Sequence, residues 1–107
     1  VGKTLADLEA HVGRMDHEQA VQNGWGHIHE EATKHLGMAR SHLTEALGLR
    51  RNNKGYDSLP HVANAAAILH HVNTQLNMNS TSPMGVGETL DLKQRAGRLA
   101  SQSGKIN

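Results

Sequence analysis

The chain has 107 residues and a formal net charge of +1 with neutral histidines, so it has the length of one domain and no overall drive toward nucleic acid or anionic membranes. Cysteine is absent, which excludes disulfides and thiolate metal sites. Only 36% of the residues are hydrophobic, phenylalanine is absent, and tryptophan and tyrosine occur once each, as Trp25 and Tyr56. A core of small aliphatic side chains would be thin, which favours a protein partner or a homo-oligomer.

Apolar residues recur at spacings of three and four along three stretches of the chain, which predicts three amphipathic helices. The first helix is expected over residues 5–22, with Thr4 and Asp7 as a capping box at its start. The second helix is expected over residues 25–47, with Gly48 as its stop signal. Because the connections between the helices are short, neighbouring helices are expected to be antiparallel.

A loop is predicted over residues 50–59, because this segment contains asparagine, glycine, aspartate and serine. The third helix follows this loop, with Asp57 or Ser58 as its N-cap, and is expected to end near Asn77. Four alanines are spread around this helix. They have two interpretations, helix propensity alone or a helix packed closely between several others.

Residues 79–107 differ from the three-helix body predicted for residues 1–78, because they are small, polar and only weakly patterned. A flexible linker containing Pro83 is followed by a short fourth helix, with Thr89 as its N-cap and an end near Ser101. The sequence therefore predicts an all-α fold, a small antiparallel bundle of three main helices plus a short C-terminal helix. That last helix either folds back onto the bundle or reaches a neighbouring subunit.

Nine histidines raise the hypothesis of a transition-metal site, because imidazole binds zinc, nickel and copper. Helical ligand spacing gives four candidate ligands: Glu31, His35, His42 and Glu45. A helical wheel nevertheless spreads the histidines over different faces, so most are expected to be solvated or at the boundary of the core. His29, near the apolar stripe, is expected to be a buried, hydrogen-bonded imidazole rather than a ligand. Even without metal, such histidines gain charge as the pH falls toward about 6, so assembly would depend on pH.

No motif identifies a reaction, so an enzyme is not expected. The zinc-protease pattern His-Glu-x-x-His begins at His17 and at His29 and is incomplete both times. Six basic residues are candidate nucleic-acid contacts: Arg50, Arg51, Lys54, Lys93, Arg95 and Arg98. Residues 60–77 contain no lysine or arginine, which argues against a basic recognition helix, and a solvated loop is the favoured interpretation of residues 50–54.

The interpretation that fits this architecture best is a non-catalytic structural or assembly subunit, for instance a component of a virion head or tail or of a similar repeated assembly. Its expected partner-binding residues are Met84, Leu90, Leu92, Ala96 and Leu99. A histidine-rich metal-binding bundle and a weak nucleic-acid-associated module are the alternatives. No membrane span and no signal peptide is visible, so a location in the cytoplasm or within a virion or other assembly is expected.

Overall fold

The computed structural model describes residues 1–79 and 84–106, with side chains described as far as residue 101. This part of the chain contains five helices and no strand, which confirms the predicted all-α fold. The helices are α1 (Gly2–Arg14), α2 (His17–Gln22), α3 (Gly26–Arg51), α4 (Gly55–Met78) and α5 (Val86–Ile106). Pro83 of the predicted linker lies outside the described residues. None of the described helices combines the length and the apolar character that crossing a bilayer requires.

The first predicted helix is two helices, because the chain breaks between α1 and α2. Met15 has an extended backbone with φ −73° and ψ 126°. The carboxylate of Asp16 then accepts a hydrogen bond from the backbone N–H of Glu18 at 3.0 Å. Aspartate favours this position because its side chain satisfies one of the N–H groups that a new helix leaves without a partner. The predicted capping box at Thr4 and Asp7 is wrong, since α1 begins two residues before Thr4.

The connection between α3 and α4 is shorter than predicted. α3 continues through Gly48, and α4 begins at Gly55 rather than after Asp57 or Ser58. Asn53 has a φ of 61°, a left-handed conformation that asparagine tolerates, and this lets the chain reverse within three residues. Ser58 is therefore not an N-cap. It is buried within the first turns of α4, where its hydroxyl donates to the backbone oxygen of Gly55.

α3 and α4 form an antiparallel hairpin, and α1 packs against both of them. The core between these helices is aliphatic and comes from the three predicted stripes. Its buried members are Leu5, Leu8, Val12, Ala32, Leu36, Ala39, Ala65, Leu69, Val72 and Leu76. At the outer edge of this core, Arg40 of α3 donates two hydrogen bonds to the carboxylate of Glu9 in α1. One of them joins Nε to Oε2 at 2.9 Å.

α4 is the central helix, because it contacts α1, α3 and α5 on different sides. Ala65 and Leu69 belong to the core shared with α1 and α3. Ala66 lies on the side that faces α5, since it is two turns from Asn73, which is hydrogen-bonded to Thr89 of α5. Both alanines are fully buried. This supports the second interpretation of the α4 alanines, a helix packed closely between several others.

Candidate functional site: the histidine pairs and the C-terminal helix

Six of the nine histidines meet in pairs that join different helices. The pairs are His17 with His29, His35 with His71, and His42 with His61. The first pair joins α2 to α3, and the other two join α3 to α4. The Nδ1 atoms lie 3.1 Å apart in the first pair and 3.2 Å apart in the third, whereas His35 and His71 make an edge contact with ring centroids 5.3 Å apart. The helical wheel of a single helix does not reveal such pairs, because each pair depends on how two helices pack.

The four residues expected to bind metal do not come together. His35 and His42 lie two turns apart on α3, roughly 10 Å along its axis. His35 Nδ1 contacts the backbone oxygen of Glu31 at 2.8 Å, and the Glu31 carboxylate lies 3.2 Å from His27 Nε2. His42 turns toward α4 rather than toward Glu45 of its own helix. Among the described residues, no group of three or more histidine, aspartate or glutamate side chains is arranged to hold one metal ion.

His29 is hydrogen-bonded, as expected for an imidazole beside the core, but its partner is the imidazole of His17. His29 also borders a groove of about 430 Å³ between α1 and α3, together with Glu9, Val12 and Met15. The Glu9 carboxylate is paired with Arg40. The hydrogen bonds and positive charge of Arg40 hold the pKa of this carboxyl below its ordinary value. The carboxylate that borders the groove is therefore anionic and already has Arg40 as its partner.

α5 folds back along α4 in the antiparallel direction, and hydrogen bonds hold its first turns there. Asn73 of α4 donates from Nδ2 to Thr89 Oγ1 at 3.0 Å and to the backbone oxygen of Gly85 at 3.1 Å. One turn away, Asn77 Nδ2 donates to the backbone oxygen of Met84 at 3.1 Å. Asn73 and Thr89 are fully buried, so the polar contact lies inside the interface. Thr89 is thus not the expected N-cap. α5 begins three residues earlier, and the Thr89 hydroxyl donates to the backbone oxygen of Val86. With 21 residues and an end at Ile106 rather than near Ser101, α5 is one of the main helices and not the short one predicted.

His70 extends this polar contact between α4 and α5. Its Nδ1 lies 3.0 Å from Thr89 Oγ1, and the imidazole is half-buried. Burial lowers the pKa of His70, and the positive charges of Lys93 on α5 and of His71 lower it further. The neutral form of His70 is therefore the form that fits this interface.

Three of the five expected partner-binding residues face the inside of the chain. Met84 and Leu92 are half-buried and pack against the core, and Ala96 is buried. Leu90 and Leu99 are exposed. They lie nine residues apart, half a turn out of phase, so they flank the buried side of α5 on opposite edges. The structure thus leaves two of the five residues on the surface of α5.

The basic residues form two separate groups. Arg50, Arg51 and Lys54 are exposed where α3 ends and α4 begins. On α5, the three candidates are also exposed: Lys93, Arg95 and Arg98. Arg95 pairs with Asp91 one turn earlier at 3.1 Å. Since helical geometry turns Lys93 well away from Arg95 and Arg98, α5 does not present one basic stripe.

The chain matches no protein-family model, no curated protein and no solved structure. Two features of its own geometry therefore bear on function. One is the polar attachment of α5 to α4, and the other is the set of histidine pairs between helices.

Proposed function

We propose that this protein is a non-catalytic structural or assembly subunit, whose helical body and C-terminal helix pack against further copies of the chain or against a protein partner. The observation that carries this proposal is the character of the α4–α5 interface. Its buried centre is the Asn73–Thr89 hydrogen bond, and the neighbouring buried apolar groups are the small side chains Ala66 and Ala96.

An interface of this kind gives α5 a defined position, and its larger apolar contacts, Met84 and Leu92, are only half-buried. Burial of apolar surface contributes about 25 cal/mol per Å², so alanine contributes far less than leucine or valine. A buried hydrogen bond adds only about 0.5–1.5 kcal/mol net, because the same groups bind water when the helix is released. α5 is therefore suited to exchange its place on α4 for a place on a partner.

The exposed leucines of α5 support the same proposal. Leu90 is 39% exposed and Leu99 is 53% exposed, and they border the buried side of the helix on both edges. A partner helix that packs beside α5 would bury either leucine and gain the stabilisation that the single chain leaves unused. Under this proposal the assembly would be a repeated one, such as a virion head or tail.

The experiment that tests self-association is the molar mass of the full chain in solution, measured by light scattering over a range of concentrations. We expect an oligomer for the natural sequence and a smaller species for Leu90→Gln combined with Leu99→Gln. Met38→Gln is the matched control, because Met38 is 46% exposed and lies on α3. A monomer at every concentration, or an oligomer equally sensitive to the Met38 variant, would contradict self-association through α5.

The metal-binding bundle remains the second candidate function, since the histidine pairs provide an observation in its favour. The nucleic-acid-associated module has weaker support, because the basic residues of α5 do not share one face and Arg95 is paired with Asp91. Affinity for nucleic acid that falls steeply with salt would support that module instead.

A further inference from the structure

We propose that His17 and His29 form a two-histidine site for zinc, nickel or copper that fastens α2 to α3. This inference does not depend on the assembly role. It begins from the separation of the two Nδ1 atoms, which is 3.1 Å. A metal ion bound to both atoms at about 2.0–2.1 Å would subtend an N–metal–N angle of roughly 100°. That angle lies between the octahedral and tetrahedral values, so one ion can bind both nitrogens once each imidazole turns its Nδ1 lone pair from the other ring toward the ion.

Glu30 gives the pair a second feature of a metal site. Its carboxylate oxygen lies 3.5 Å from Nε2 of His17, the ring nitrogen that does not contact His29. A carboxylate there favours the tautomer with hydrogen on Nε2, which leaves Nδ1 of His17 without a hydrogen and available as a ligand. Metal-binding histidines in proteins commonly have such a carboxylate behind the ring, where it orients the imidazole and strengthens it as a ligand.

The surroundings leave room for the remaining ligands of the ion. The side chains of His17 and Glu30 are 49% and 67% exposed, so an ion can enter from solvent and keep water in its other coordination positions. Without metal, His29 can donate its Nδ1 hydrogen to His17. Metal binding requires that hydrogen to move to Nε2 of His29, and it converts a single hydrogen bond into two coordinate bonds.

α2 is the helix that gains most from such a link. It has six residues, which is too short for an isolated helix to be stable in water, and Ala20 is its only buried residue. A metal ion bound to His17 of α2 and His29 of α3 would tie the start of α2 to the first turn of α3, across α2 itself and residues 23–25. The expected result is a rigid α2–α3 corner when metal is bound and a looser one when it is not.

The His42–His61 pair is the natural comparison. Its Nδ1 atoms are 3.2 Å apart, nearly the same separation, but the rings are half-buried. Within the described part of the chain, no carboxylate lies within ion-pair distance of either ring. We therefore assign the metal to the first pair, and the two pairs differ in a way that one experiment can test.

The experiment uses the full chain without an affinity tag, stripped of metal and titrated with Zn²⁺, Ni²⁺ or Cu²⁺ while Tm is recorded. For a ligand that binds only the folded state, Tm rises with the logarithm of free metal. We expect this rise in the natural chain and in His42→Gln, and its loss in His17→Gln and in His29→Gln. Circular dichroism of each metal-free variant establishes that it is folded, and the exposed position of His17 makes His17→Gln the safer of the two.

Glu30→Gln tests the supporting carboxylate, and we expect it to weaken binding by roughly tenfold to a hundredfold. Histidine proton resonances in NMR provide the second measurement, since bound metal should shift those of His17 and His29. The absence of any metal-dependent rise in Tm would overturn the proposal. A rise that persists in both His17→Gln and His29→Gln would overturn it as well, because the metal would then bind elsewhere.

Discussion

The two sides of α4 follow different physical principles. The side against α1 and α3 is aliphatic, with Leu69, Val72 and Leu76 fully buried or nearly so. The side against α5 places Asn73 at its centre, hydrogen-bonded to Thr89. One helix thus carries an apolar interface that supplies stability and a polar interface that fixes position. From this difference we expect the hairpin and α1 to supply most of the stability, and α5, whose buried centre is polar, to add specificity with less free energy.

The energies of the two sides explain why this division is expected. Burying a leucine or valine side chain contributes about 1.5–3 kcal/mol, without any requirement for direction. A buried amide contributes less when it is satisfied but costs about 1–3 kcal/mol when its partner is lost. The polar side therefore penalises every register of α5 except the one that joins Asn73 to Thr89.

Truncating the apolar side should have the largest effect. We expect Leu69→Ala to lower the free energy of unfolding by about 2–5 kcal/mol, because it opens a cavity in the middle of the core. Urea denaturation followed by circular dichroism measures this loss. Leu47→Ala is the matched control, since Leu47 is half exposed, and it should change stability much less. Equal losses in the two variants would contradict the assignment of Leu69 to the centre of the core.

Removing the side-chain amide of Asn73 should have the next largest effect on stability. Unlike the loss of Leu69, it should loosen α5 more than the other helices. We expect Asn73→Ala to cost about 1–3 kcal/mol, because Thr89 and the backbone oxygen of Gly85 lose a buried donor. Hydrogen exchange should accelerate in α5 while α1 and α3 keep most of their protection. Asn64→Ala is the control on the exposed surface of α4. If hydrogen exchange accelerated equally in all helices, α5 would unfold together with the rest of the chain and the prediction would be wrong.

The same comparison explains how much the sequence could predict. The stripes of α3 and α4 were predicted correctly because an aliphatic core depends on residue type and spacing within one helix. The break at Met15 was missed, although Asp16 was a detectable N-cap signal within an otherwise helical pattern. The caps at Thr4 and Thr89 were wrong because both helices begin earlier, and threonine is compatible with a helix when its hydroxyl has a partner.

The polar interface and the histidine pairs could not be predicted in the same way. From the sequence alone, Asn73 and Thr89 are expected at the surface, because polar residues are usually exposed. Only the packing of α5 against α4 shows that they are buried. His17 and His29 likewise lie twelve residues apart on two helices, and their meeting depends on the turn at residues 23–25. Side-chain pairs between helices are set by the packing angle and register, which a single-helix pattern does not contain.

The pH dependence of the α4–α5 interface should be a smaller effect, and its sign follows from His70. Burial, followed by the charges of Lys93 and His71, lowers the folded pKa of His70 below its ordinary value of 6.5. The unfolded chain therefore takes up a proton first as the pH falls. His70 contributes stability that is fully present above about pH 6.5 and is lost as the pH falls through the lower folded pKa.

Urea denaturation at about pH 7.5 and about pH 5.5 measures this contribution. We expect the drop in stability between these two conditions to be smaller in His70→Gln than in the natural chain. His27→Gln is the control, because the side chain of His27 is 80% exposed, and it should show the natural drop. An unchanged drop in the His70 variant would contradict the assignment of this pH dependence to His70.

The ion pair between α1 and α3 should give the smallest effect, because it lies at the rim of the apolar side rather than within it. Hydrogen bonds from Arg40 lower the pKa of Glu9 below its ordinary value of 4.5, and this carboxylate is about one-third exposed. Its contribution is thus present above about pH 4.5, is lost as the pH falls through the lowered pKa, and is weakened by salt. We expect Glu9→Gln to be slightly less stable than the natural chain at neutral pH and equally stable in acid, with Glu45→Gln unchanged at both. A large loss in Glu9→Gln at neutral pH would show that α1 depends on its rim and not on the leucines beneath it.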